Sequence, residues 1–170
     1  MTARTGVWLR FALGTAFALG LLVTLSPARP ASRLSAVLQP VVGLAAGGLL
    51  YLILVRSLPR RPTPGPSASA AVGKCVLLGV AALNEEIVWR RVLLGELLFG
   101  GVVAALAAST LAFAVSHRAR PALHLGTGAA FGAVYLTTGA LVATVTAHWA
   151  YNVLVGAHVG GRRSSSGRVS

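Results

Sequence analysis

Asn84-Glu85-Glu86-Ile87-Val88-Trp89-Arg90-Arg91 is the stretch that decides how this chain is read. The protein has three acidic residues, and two of them stand side by side here with hydrophobic sequence on both sides. The third, Glu96, follows ten positions after Glu86. Carboxylates are costly to desolvate, so an adjacent pair kept in apolar sequence calls for a partner or a use. On a helix Glu86 and Arg90 are one turn apart and can pair, while Glu85 points to a neighbouring face.

Around this stretch the composition is 55% hydrophobic and 11% charged, with a mean hydropathy of +0.77. That pattern predicts an all-α fold, a polytopic membrane bundle of about six transmembrane helices. The 170 residues hold one domain. In a soluble protein the formal net charge of +12 would point to nucleic acid. Here the basic residues fall between apolar runs, as membrane topology places them, and no basic–aromatic stripe accompanies them, so a nucleic-acid partner is set aside. The single cysteine, Cys75, excludes an internal disulfide and reads as a small core residue. Fourteen Arg against one Lys, with abundant Ala and Gly, is the composition of a high-GC bacterial genome.

The apolar runs cover 6–25, 34–55, 70–99, 102–116, 122–136 and 140–155. The basic start and apolar centre of 1–31 also fit a signal peptide, but the run is near the length of a span, and no clean small-x-small site follows closely. Residues 1–69 are thus two N-terminal spans and a Pro/Arg linker, 70–157 the core that carries the glutamates, and 158–170 a basic tail of disordered composition. From 70 to 99 a continuous helix would be about 45 Å long, crossing a bilayer with tilt or with a kink at Gly95. Gly43/Gly47 and Gly128/Gly132 form small-xxx-small faces for packing within or between chains, which leaves the oligomeric state open. With Arg56, Arg60, Arg61, Arg118 and Arg120 on the side of the termini, the positive-inside rule places both termini in the cytoplasm.

A hairpin closed at Gly100-Gly101 brings Glu85 and His117 together. They lie 15 and 16 residues from the turn, so both sit about 22–24 Å from it at 1.5 Å per residue. His148 and Asn152 share a helix face one turn apart. Glu85, Glu86, Arg90, His117, His148 and Asn152 therefore form one candidate catalytic set. A carboxylate can take a proton from water while two imidazoles and a carboxamide surround a substrate carbonyl. The same carboxylates and histidines could instead bind Zn²⁺, and the sequence leaves both chemistries open.

Three motifs in this set resemble the CPBP (Abi, CAAX-protease-like) intramembrane proteases. Glu85-Glu86-x-x-x-Arg90 looks like their first motif, Phe113-x-x-x-His117 their second and His148-x-x-x-Asn152 their third. Gly128-x-x-x-Gly132-x-x-Tyr135 between the last two also resembles the family. The resemblance covers about residues 70–156, and Arg91 departs from it where Gly is frequent. It implies a glutamate-dependent endopeptidase acting near the cytoplasmic membrane face, needing no cofactor, on a membrane-associated polypeptide within the lipid bilayer. Glu85 would activate water with support from Glu86 and Arg90, His117 would orient water or substrate, and His148 with Asn152 would stabilise the oxyanion. Bacterial relatives are linked to protein sorting and to bacteriocin processing or immunity.

The remaining polar residues have plainer readings. His124 reads as structural, His158 as solvated at a span end, and Glu96 as structural. Trp89 and Trp149 read as walls of the site. A non-catalytic scaffold or immunity protein would be marked by loss of a motif residue, and none is lost. An ion-coupled transporter would show internal repeats or broken helices in both halves, and no repeat is present.

Overall fold

The computed structural model describes residues 3–25, 30–59, 68–117 and 119–159. Most of the Pro/Arg linker, the basic tail from 160, and Arg118 lie outside them. Within the described residues the chain is helical throughout, with no strand. Helix α1 is Ala3–Thr24 and α2 is Leu38–Leu54. Helix α3, Ala68–Glu86, runs on without a cap into a π-helical segment, Ile87–Leu94, then into short turns at Gly95–Leu97 and Leu98–Gly100. Helices α4, α5 and α6 are Val102–Ser116, Pro121–Thr138 and Leu141–Val159.

The breaks come where backbone chemistry demands them. Gly101, at φ +100°, closes the α3–α4 hairpin. Pro121 opens α5 in the first turn, where its missing N–H goes unneeded. Gly139 ends α5 in the left-handed conformation, its N–H bonded to the Tyr135 carbonyl at 2.8 Å.

Both small-residue faces are used inside the chain. A side chain at Gly43 or Gly47 of α2 would run into Ala143, Thr146 and Ala147 of α6. One at Gly128 or Gly132 of α5 would meet Thr110, Phe113 and Leu106 of α4. Helix α1 lies against α3 and its continuation, with Ala18 packed beside Ile87 and Val92 and Asn84 Nδ2 bonded to Thr15 Oγ1 at 2.9 Å.

The six helices stand where the apolar runs lie, but one expectation about them is corrected. Among the described residues no helix is long and apolar enough to cross a membrane. Helices α2 and α4 have 17 and 15 residues, and a span needs about 20. Helices α5 and α6 are longer but spend part of their length on His, Thr and Asn. The helix that carries the glutamates is irregular from Ile87, where a π-helical segment follows Glu86 directly and runs up to Gly95. One further expectation changes. His158 and Val159 complete α6 rather than opening the tail, and His158 is buried. Its Nε2 donates to the Leu58 carbonyl at 2.9 Å while Nδ1 is hydrogen-bonded to the Tyr51 hydroxyl at 2.9 Å. Two tertiary partners thus fix the ring at the join of α2 and α6.

Candidate active site

Glu85 and Glu86 are the last two residues of α3 before the wider π turns begin. Such turns often mark functional sites. The Ser109 hydroxyl of α4 donates to the Trp89 carbonyl inside the π-helical segment at 2.6 Å, so a neighbouring helix supplies a partner to this irregular backbone.

Glu86 is completely buried and is held from two sides. Its Oε2 forms an ion pair with Arg90 Nε at 3.2 Å, and its Oε1 accepts from His148 Nδ1 at 2.7 Å. Arg90 is equally buried, and its Nη2 donates to the Gly128 carbonyl at 3.0 Å. The guanidinium lies over the Phe113 ring at 4.6 Å from its centroid, a favourable contact for a desolvated cation. Glycine at 128 lets α5 come close enough for Arg90 to reach its backbone. Glu86 and Arg90 therefore pin α3, α5 and α6 together.

Glu85 faces the other way, into a groove. His117 Nε2 lies 3.5 Å and His148 Nε2 3.8 Å from Glu85 Oε2, which is buried and has no hydrogen-bond partner in the protein. Both rings are oriented from behind. His117 Nδ1 donates to the Phe113 carbonyl at 2.8 Å, as His148 Nδ1 does to Glu86. Each histidine thus turns Nε2 toward the same carboxylate oxygen. His148 is further fixed by stacking on Phe131, with centroids 4.5 Å apart. His117 lies just past the end of α4. Its interaction with the Glu85 carboxylate raises its pKa above the ordinary histidine value, more than its partial burial lowers it.

The groove measures about 370 Å³ and is walled by α3, α4, α5 and α6. The six residues predicted from sequence all belong to this arrangement. Glu85, His117, His148 and Asn152 line the groove, and Glu86 and Arg90 brace it from within the bundle. Three lining residues had been given other readings or none. His124 stacks on His117 with centroids 4.4 Å apart, so it belongs to the site's wall. Its sequence signal was present, because positions 124, 128 and 131 share one helix face with Gly128 and Phe131. Tyr151 and Lys74 also line the groove. Trp89 packs edge-on against Phe113, while Trp149 Nε1 donates to the Cys75 carbonyl at 3.0 Å and seals the α3–α6 seam. Glu96 is exposed beyond the far end of the π-helical segment. Among the described residues no group of three or more His, Cys, Asp or Glu side chains is arranged to hold a metal ion.

Residues 68–154 match the family model described as type II CAAX prenyl endopeptidase, Rce1-like. The match covers more than half of the chain and contains every residue named in the candidate set. No curated protein and no solved structure matches the chain. The chain belongs to the Rce1-like family, which points to a protease and supports a membrane location.

Proposed function

From this membership we propose that the protein is an intramembrane endopeptidase in which Glu85 activates water without a metal. The observation that carries the reading is the convergence of two Nε2 atoms on the buried Glu85 Oε2 at 3.5 and 3.8 Å. Contacts of that length suit a water bridging the groups. Glu85 takes a proton from this water while His117 orients it, and the hydroxide adds to the substrate carbonyl. The Asn152 carboxamide and His148 Nε2 are placed to bond the resulting oxyanion. Glu86 holds the His148 ring in that orientation through Nδ1. The C–N bond then breaks as Glu85 returns its proton to the leaving amine. Atoms and charges balance with water as the sole co-reactant.

Charged side chains buried within the bundle and large apolar ones left on its outside support a lipid setting. Arg90 and Glu86 are among its largest fully buried side chains, while Phe99 is 92% and Val103 83% exposed. In this reading both termini and the site lie toward the cytoplasmic face, and the substrate is a membrane-associated polypeptide in sorting, maturation or bacteriocin-related processing. The test is cleavage of a quenched peptide library by the purified protein in detergent, with and without a strong chelator. Cleavage that survives the chelator and disappears in Glu85→Gln is the expected result. Cleavage abolished by chelator and restored by Zn²⁺ would move these residues into a metal site.

A further inference from the structure

The protein has four histidines, and three of them are engaged through their ring nitrogens. His117 bonds to Phe113 and faces Glu85, His148 bonds to Glu86, and His158 bonds to Leu58 and Tyr51. His124 differs. Among the described residues its ring makes no hydrogen bond and no ion pair, and its contacts are with other rings. It stacks on His117, with centroids 4.4 Å apart and planes at 29°, and meets Phe113 edge-on at 5.8 Å. Stacked and edge-to-face pairs are the favourable ring geometries.

His117 depends on such a contact because its own helix does not set its direction across the groove. It caps α4 at φ −106° and ψ 76°, outside helical geometry, and its side chain is 28% exposed. Its Nδ1 partners, the Phe113 carbonyl and the Ser116 hydroxyl, belong to the same helix end. Among the described residues two contacts come from other helices. One is Glu85 at 3.5 Å, longer than a direct hydrogen bond prefers, and the other is the His124 ring. His124 stands in the first turn of α5, its N–H bonded to the Arg120 carbonyl at 3.2 Å.

We propose that His124 is a positioning residue that holds the His117 ring, by stacking, with Nε2 turned toward Glu85. The inference rests on the peptidase reading for what His117 does there, which is to orient the attacking water. A ring that acts through its face has no need of its nitrogens, so phenylalanine can replace it and an aliphatic side chain cannot. A misplacement of about 1 Å costs up to about 10²-fold in rate.

The first experiment measures peptide cleavage by the purified full chain in detergent, comparing the parent with His124→Leu and His124→Phe. The expected result is a kcat about tenfold lower in His124→Leu with KM within about twofold, and most of that kcat regained in His124→Phe. A loss confined to KM, a parent-like kcat in His124→Leu, or a His124→Phe protein as slow as His124→Leu would overturn the positioning role. The second experiment needs no cleavage and so stands apart from the peptidase reading. The His117 titration is followed by NMR with and without Glu85→Gln in each of the three backgrounds. The charged or titratable groups acting on His117 are Glu85 of α3, Arg90 just after it and His124 of α5. Glu85 raises the His117 pKa, so Glu85→Gln lowers it. The drop should be full in the parent and in His124→Phe, and at most about half of that in His124→Leu. A full drop in His124→Leu, or a reduced one in His124→Phe, would overturn the inference. If the parent cleaves nothing while the expected pattern holds, the peptidase reading fails and the positioning of His117 stands.

Discussion

Glu86 shares its two oxygens between Arg90 and His148, and neither it nor Arg90 reaches the surface. Removing one member of such a pair strands the other charge. Arg90→Ala is therefore expected to destabilise the protein by about 3–5 kcal/mol. Thermal unfolding in detergent would read this as a large drop in midpoint, and an unchanged midpoint would contradict the buried pairing. Lys at 90 does not rescue it, because a point charge cannot span both Glu86 and the Gly128 carbonyl as the guanidinium does. Glu85 behaves differently because it faces the groove. Its carboxylate favours the charged form of His117 and so raises that pKa. Glu85→Gln removes the attraction, so the His117 titration followed by NMR should move down, while a shift upward or none would refute the contact. This much was legible in the sequence at the level of identity. Glu86 and Arg90 are one turn apart, and the Gly100-Gly101 turn sets Glu85 level with His117. The stack of His124 on His117 was not, because which ring meets which depends on how α4 and α5 pack, and Gly128 governs that approach.

At the scale of the element, the helix that carries the glutamates changes from α to π directly after them. Nothing in the residue pattern of 87–94 announces this, since a π segment answers to its neighbours more than to its own propensities. One neighbour is Ser109, which serves the Trp89 carbonyl. Ser109→Ala should leave that carbonyl without its donor and destabilise the protein by about 1–3 kcal/mol. The check is its unfolding midpoint beside that of Thr137→Ala, whose hydroxyl bonds only to carbonyls of its own helix. Equal, negligible effects would show that the π segment needs no support. The α2–α6 seam was readable in outline, because Gly43 and Gly47 mark a close face without naming the partner. A side chain at 47 would strike the Ala147 backbone, so Gly47→Ala is expected to cost about 1–3 kcal/mol through overpacking. Cleavage by the protein that remains folded should persist, since no site residue is touched.

For the whole molecule, the element order was read correctly because glycine and proline punctuate it, at Gly101, Pro121 and Gly139. The lengths were read less well. Hydropathy runs merge helix with flanking apolar turn, and they cannot show that α5 and α6 turn polar groups toward an interior groove. The proposed orientation, with both termini in the cytoplasm, predicts that a fluorescent protein fused after residue 170 is bright in cells, and that a periplasm-dependent phosphatase fused there is inactive. The reverse pattern would invert the topology and place the site on the other face. The account itself turns on Glu85 acting through water alone. Its most direct test is single-turnover cleavage by protein whose metal content is measured in the same sample, comparing the parent with Glu85→Gln. The account predicts full activity in metal-free parent protein and a loss of about 10²–10⁴-fold in the variant, with the unfolding midpoint retained. Activity that rises and falls with bound zinc, or a Glu85→Gln protein that cleaves at the parent rate, would contradict it.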